Sequence, residues 1–414
     1  MSLKLIRQAL NGNRHLPRLA RSHPWKDRYD VVIIGGGAHG LACAYYLSKH
    51  HGITDVAVLE KRYIGHGGSG RNTTIIRSNY LTPEGVRFYD QSVKLYQELS
   101  AELDFNVMFS QRGHLTLAHT DASVRTMRRR AEVNQVEGVD SRVIYADDIA
   151  RLCRFLDVSD RPRYPILAAL YHPPGGILRH DAVVWGYAHQ ADARGVHIHQ
   201  NAEVTGIQVD ATAGQVVGVE TTRGRIKTGT VLNATAGWCS TIAAMAGVTL
   251  PITTYPLQAC VTEPLKPFLD VVVVSGSLHV YVSQSDRGEL VMGASVDPFT
   301  SYSMAGSLSF LEDIAGHMLE LFPSLADVRV LRQWAGVCDM TPDYSPVMGL
   351  TPVKGFLLDV GWGTYGFKAS PISGKTMAEL IATGRSPDLI APFRLARFAE
   401  HDLVGEKGAA SVGH

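Results

Sequence analysis

Residues 30–60 read DVVIIGGGAHGLACAYYLSKHHGITDVAVLE: an apolar run, a glycine cluster, an amphipathic stretch and a second apolar run closing on an acid. Val31, Val32, Ile33 and Ile34 are β-branched and predict a buried parallel strand. Gly35, Gly37 and Gly40 follow with the spacing GxGxxG. The first permits a tight turn and the second lets backbone approach a pyrophosphate. The third packs the next helix on the strand, its unpaired N–H groups facing the phosphates. Glu60 stands 20 residues after Gly40, at the end of the second predicted strand. A carboxylate there binds ribose hydroxyls and disfavours a ribose 2′-phosphate. The stretch therefore calls for a dinucleotide with an ADP half, in a flavin or nicotinamide enzyme.

Working outward, 414 residues with 45% hydrophobic and 19% charged content bury a large core and suggest two domains. A net charge of +1 leaves no basic surface for nucleic acid, and no apolar run approaches the ~20 residues of a membrane span. Cys43, Cys153, Cys239, Cys260 and Cys338 are scattered without CxxC or metal-ligand spacing. They read as reduced and packed, in a soluble cytoplasmic protein without a metal site. Residues 1–29 are rich in Arg and poor in acids, with neither a secretory apolar core nor a small-residue cleavage site. They are expected to form an arm against a partner subunit, with solvated disorder as the alternative.

Residues 202–237, AEVTGIQVDATAGQVVGVETTRGRIKTGTVLNATAG, predict a β-meander turning at Gly214 and Gly224. It ends in VLNATAG, a strand closing in small residues that lets the chain pass beneath a nucleotide and favours FAD over NAD. Between residues 250 and 336, VVVVSGSLHVYVSQ and GELVMGAS predict an antiparallel sheet for a substrate site. His197 and His199 alternate along a predicted strand and share a face. A third metal ligand is not evident, so surface polarity is the expected reason for the pair.

Nine stretches then carry a family resemblance: GGGAHGLACAYYL (35–47), RNTTIIRSNY (71–80), FSQRGHL (109–115), RHDAVVWGYA (179–188), YPLQACVTEP (255–264), YVSQSDRGELVMGA (281–294), MTPDYSPVMG (340–349), GWGTYGFK (361–368) and GEKGAASVGH (405–414). With them the chain resembles the beta subunits of heterotetrameric sarcosine oxidases, in the D-amino-acid oxidase and glycine oxidase class of FAD-dependent oxidoreductases. The expected fold is α/β: a Rossmann-like FAD domain of the two-dinucleotide-domain type (30–109, 164–249 and 335–398). It is interleaved with a substrate domain on an antiparallel sheet (110–163 and 250–334), and a tail (399–414) follows.

The resemblance implies oxidative demethylation of sarcosine, N-methylglycine, through an imine. Electrons would pass from non-covalent FAD to FMN and on to oxygen, giving hydrogen peroxide. The one-carbon unit would go to tetrahydrofolate on an alpha subunit, with gamma and delta subunits completing the heterotetramer. Arg77 matches the family's carboxylate-binding arginine, and its planar fork suits bidentate capture. Lys368 matches the second carboxylate ligand. Gly35, Gly37, Ala38, His39, Gly40, Glu60, Lys61, Arg71, Asn72, Thr73, Gly361, Gly363, Thr364, Gly366, Phe367 and Lys368 are the implied FAD contacts.

His180 is the implied site of covalent FMN attachment, a reaction that needs a neutral imidazole. Asp181 reads as the N-cap of a helix starting near Ala182, which would set His180 beside a positive helix end. His172 is the fallback. Gly336 stands where single-chain relatives bind FAD through cysteine, with Cys338 as a minor alternative. Val291 stands where those enzymes keep an oxygen-activating lysine, and Tyr365 where the family pattern has glycine. Two other readings stay open. One is a related dehydrogenase of proline, N-methylglutamate or an opine in a multi-subunit complex; the other is a non-catalytic flavin-binding scaffold.

Overall fold

The computed structural model describes Leu10, Gly12 and residues 21–407. Val31–Ile34 forms a fully buried strand inside a six-stranded sheet. The strand order is Val347–Leu350, Phe356–Val360, Val231–Asn233, Val31–Ile34, Val56–Glu60, His197–Gln200. All neighbours run parallel except the first pair. Alternation along the central strands sends Val31, Ile33, Val56 and Val58 into one core with the helices Ala38–His50, Pro83–Glu102, His180–Ala193 and Gly366–Thr383. Val32, Ile34, Ala57 and Leu59 enter a second core on the other face, beneath the helix Cys239–Met245 and a three-stranded meander. A strand covered on both sides must be apolar throughout, as this one is. The meander, Val204–Asp210, Gln215–Thr221 and Gly224–Lys227, turns where the glycines predicted.

An eight-stranded sheet forms the second layer. Its order is Val330–Met340, Thr253–Pro264, Glu289–Val296, Val280–Gln284, Val272–Ser275, His114–Ala118, Ala168–His172, Arg142–Ile144. The sheet is antiparallel apart from the join of Val272–Ser275 to His114–Ala118. The helix Leu308–Leu321 covers it with Phe310, Ile314, Met318 and Leu321. Ala168–His172 and all of Val330–Met340 pair into this sheet, although the first as a whole and the second from residue 335 onward were expected in the FAD segments. Ala168 and Leu170 face Val124, Met127 and Ala131 of the helix Asp121–Val136, and this long-range packing sets their allegiance.

Where it is described, the arm makes contacts with its own chain. Arg21 and His23 both bind the Asp192 carboxylate of their own chain. The buried Tyr29 hydroxyl meets His197 Nδ1 and His199 Nε2, each at 2.9 Å. His199 is therefore a buried, partnered residue and not surface polarity. Residues 1–9, 11, 13–20 and 408–414 lie outside the described part, so the rest of the arm and most of GEKGAASVGH fall there. All five cysteines are buried and free. Among the described residues no helix is long and apolar enough to cross a membrane, and no group of side chains forms a metal cluster.

Candidate active site

A long cleft opens between the two large sheets, with Ile34, Leu59 and Ala234 on one wall and Leu257, Ala259, Val274 and Tyr281 on the other. At one end the chain leaves Val31–Ile34 through Gly35, whose φ of +115° excludes a side chain. A Cβ there would stand 2.4 Å from Ala234 O, and one on Gly40 would stand 2.1 Å from Gly35 O. The helix Ala38–His50 begins with Gly37 as N-cap, no side-chain cap and no acid in its first turn. Its positive end thus faces the cleft. Ser69 Oγ accepts the Ala38 N–H at 2.9 Å.

Glu60 closes the second strand and is buried. Its Oε2 accepts the Gly36 N–H at 3.0 Å and its Oε1 the Arg62 N–H at 2.9 Å. Burial raises its pKa above the ordinary carboxylate value; these N–H groups and Lys61 oppose the rise. The Lys61 ammonium lies 3.8 Å from the ring centre of Trp238, which also lines the cleft. An open helix end, a buried carboxylate and the small residues Ala234, Thr235 and Ala236 opposite fit the ADP half of FAD.

At the other end runs the loop 361–368. Gly361 N–H donates to Asp339 Oδ2 at 2.6 Å and Gly363 N–H to Asp339 O at 3.1 Å. Burial lifts the Asp339 carboxyl to about 6, against the pull of backbone N–H groups and His39. The helix Gly366–Thr383 starts from this loop without a side-chain cap or an acid in its first turn. A second positive helix end therefore meets the same cleft, where the polar edge of an isoalloxazine would find N–H donors.

Arg77 and Lys368 line the cleft at this end. Arg77 is 5% exposed and Lys368 9%. Arg77 Nη1 donates to Asn79 O at 3.1 Å and Asn79 Oδ1 at 2.9 Å, and its guanidinium lies 4.6 Å from the Tyr80 ring centre. Lys368 Nζ donates to Thr364 O at 3.4 Å. Burial, then repulsion by Arg77, lowers the Lys368 pKa well below its ordinary value. Two cations share a desolvated wall, an arrangement that an incoming carboxylate relieves. The Arg77 segment is anchored along its length. Ser78 N–H donates to His172 Nε2 at 3.2 Å, Arg130 Nε to Asn79 O at 2.6 Å, and Asn134 Nδ2 to Tyr80 O at 2.7 Å.

The cleft gathers Arg77 with Gly35, Gly37, Ala38, His39, Glu60, Lys61, Arg71, Asn72, Thr73, Gly363, Thr364, Gly366, Phe367 and Lys368. Gly40, Gly361 and Val291 do not line it. Cys338 does, but burial pushes its thiol up to about 12, which withholds the thiolate that covalent attachment needs.

His180 does not line the cleft; it is half-buried, as the first residue of the helix His180–Ala193. The helix starts two residues before the expected position. Arg179 is the N-cap, while Asp181 sits in the first turn and pairs with Arg179 at 2.9 Å. Burial lowers the His180 pKa; Asp181 opposes this, and Arg179 and Arg332 reinforce it, so the ring is held neutral. His172, the fallback, is fully buried. Its Nδ1 meets Asp140 O at 2.9 Å and its Nε2 accepts from Ser78, leaving no free nitrogen to attack a flavin.

Sequence reasoning missed Ser69, Trp238 and Asp339. Trp238 directly follows the small-residue turn and had a local signal; the other two acquire their roles only through distant contacts.

The family described as FAD dependent oxidoreductase (DAO) matches residues 30–380. The chain is 46% identical over 410 residues to sarcosine oxidase subunit beta of Rhodobacter capsulatus, covering 99% of this chain and 98% of that one. It is 48% identical over 407 residues to sarcosine oxidase subunit beta of Rhizobium meliloti, covering 98% and 97%. The crystal structure of L-proline dehydrogenase from P. horikoshii superposes with a TM-score of 0.86 at 30% identity, covering 92% of this chain and 100% of that one.

Proposed function

The chain belongs to the FAD-dependent oxidoreductases, in the family of sarcosine oxidase beta subunits, and from that premise we propose that it oxidatively demethylates sarcosine as the flavin-bearing subunit of a multi-subunit complex. The observation that carries the reading is the pair Arg77 and Lys368, two buried cations on one wall of the cofactor cleft. A secondary amino acid presents one carboxylate for them. Arg77 fixes its plane through the guanidinium fork. Lys368 gains an anionic partner and takes up its full charge. The buried rings of Tyr80 and Tyr365 lie 4.6 and 5.9 Å from the Arg77 guanidinium and would help to keep water from the bound amine.

When bound, FAD supplies the two-electron acceptor for amine oxidation, and FMN the route on to oxygen with release of hydrogen peroxide. The residues of the Gly35–Gly40 turn, Glu60 and the loop 361–368 would hold the FAD without a covalent bond. His180, held towards its neutral form and outside the cleft lining, would attach the FMN. The six-stranded sheet and its helices would serve the cofactor, and the eight-stranded sheet the substrate. The companions would be alpha, gamma and delta chains, with tetrahydrofolate on alpha taking the one-carbon unit. A cytoplasmic location is supported by five unpaired thiols.

A second reading, a dehydrogenase of another secondary amino acid such as proline, N-methylglutamate or an opine, is favoured by Tyr365. This buried ring stands beside Arg77, where the family pattern has glycine. Anaerobic bleaching of the purified complex by a panel of secondary amino acids tests both. Sarcosine is expected to bleach the flavin fastest; faster bleaching by proline selects the second reading, and no bleaching by any of them removes both.

A further inference from the structure

We propose that Glu406 is a positioning residue for the substrate carboxylate, setting the Arg77 and Lys368 scaffolds together from the C-terminal segment. The proposal rests on the reading of those two cations as carboxylate ligands. Glu406 is 2% exposed. Its Oε2 accepts the Leu81 N–H at 3.0 Å, and its Oε1 accepts the Thr82 N–H at 2.9 Å and the Thr82 hydroxyl. Leu81 and Thr82 end the short segment that starts at Arg77 and includes Asn79, the residue whose oxygens orient the Arg77 guanidinium.

The backbone of Glu406 reaches the ring beside both cations. Its carbonyl accepts the Tyr365 hydroxyl at 3.1 Å. The Tyr365 ring centre lies 5.9 Å from the Arg77 guanidinium and 5.6 Å from Lys368 Nζ. One residue thus grips the segment behind Arg77 and the ring under both cations. Tyr365, unexpected at a glycine position, points its hydroxyl at this strap. The strap itself is fixed: Glu406 N–H donates to Asp343 O at 3.0 Å, and Val404 N–H to Asp343 Oδ2 at 3.1 Å. Asp343 in turn holds the fully buried Arg397 through two bonds of 2.8 and 2.9 Å. Electrostatics runs the same way. Arg77, Arg130 and Lys368 are all buried, and the Glu406 carboxylate stabilises Arg130, which grips the same Asn79 carbonyl. Loss of that carboxylate leaves the cations to repel one another and the Leu81 and Thr82 N–H groups unpaired.

The test uses the assembled complex carrying Glu406→Ala, Glu406→Gln or Tyr365→Phe. Acetate, a carboxylate that cannot be oxidised here, is titrated and followed by flavin absorbance; substrate kinetics run in parallel. Glu406→Ala is expected to weaken acetate binding and raise KM about tenfold, with kcat and flavin content within about twofold of the parent. Glu406→Gln keeps one acceptor oxygen and should fall between. Tyr365→Phe should move KM in the same direction by about threefold, and it decides alone where Glu406→Ala fails to assemble. Acetate affinity unchanged in the variants that assemble overturns the proposal. So does a fall in kcat and flavin content in step with affinity, the mark of a general folding defect. A parent whose acetate binding depends on Glu406, yet which no secondary amino acid bleaches, sinks the functional reading and leaves this placement standing.

Discussion

His39 and Asp359, 320 residues apart in sequence, face each other with Nδ1 3.2 Å from Oδ1 and join the first turn of the dinucleotide helix to the start of the loop 361–368. His39 Nε2 donates to Gly366 O at 2.8 Å, and Ser373 Oγ donates to Asp359 Oδ2 at 2.7 Å. Trp362 Nε1 donates to Asp359 Oδ1 at 2.8 Å. Nδ1 also lies 3.1 Å from Ser373 Oγ, and the Asp359 carboxylate beside it favours the protonated ring. Burial by itself would lower its pKa. The Asp359 charge and hydrogen bond, with the Gly366 carbonyl, outweigh it and hold the ring above the ordinary 6.5.

A raised histidine pKa gives a signed pH dependence. The folded state binds this proton more tightly than the unfolded chain, so the contribution is complete below pH 6.5 and is lost as pH rises through the folded value. The parent Tm should therefore fall more steeply than that of His39→Asn between pH 6 and pH 9, roughly the range over which the proton leaves. Parallel melting curves count against the ion pair.

Arg77→Ala removes the fork from the carboxylate wall while leaving the dinucleotide end untouched. Loss of a charge-assisted contact of about 2 kcal/mol should raise KM roughly 30-fold, with FAD content unchanged. Arg77→Lys should recover only part, since an ammonium cannot pair both carboxylate oxygens in one plane. Unaltered turnover at low substrate removes Arg77 from the site.

Glu60→Ala leaves the Gly36 and Arg62 N–H groups without their acceptor and deprives the cleft of its ribose partner. A buried unpaired donor costs about 1–3 kcal/mol, so FAD dissociation should strengthen roughly 10- to 100-fold, read by ultrafiltration of released flavin. Substrate KM in the FAD-saturated variant should stay near the parent value.

In the assembled complex, mass spectrometry of a peptide containing His180 should show one added FMN, and the peptide containing His172 none. His180→Ala should abolish the adduct and keep the FAD. An FMN adduct on His172 would require breaking both of its ring hydrogen bonds and would overturn the assignment.

Local chemistry was legible in the sequence and distant contacts were not. The Gly35–Gly40 turn declares itself because strand, turn and helix lie within a few residues. The same holds for the meander glycines. Asp181 misled because an acid after a loop suits both an N-cap and a first turn, and only backbone geometry separates them. His197 and His199 read as solvated because their partner, Tyr29, lies about 170 residues away. Ala168–His172 took its sheet from neighbours that no periodicity in AALYH reveals. Arg77 and Lys368 became visible through resemblance alone; Glu406 stands within GEKGAASVGH with nothing in its sequence surroundings to mark it.

The sealed sulfurs described with the fold make the molecule its own gauge of opening. Cys43 lies on the buried face of the cofactor helix, Cys153 and Cys260 in the core of the larger sheet, and Cys239 beneath the meander; burial raises each thiol's pKa. An alkylating reagent can reach such a thiol only when its region breathes. Timed labelling, resolved cysteine by cysteine, would therefore chart which layer loosens first when flavin is stripped away.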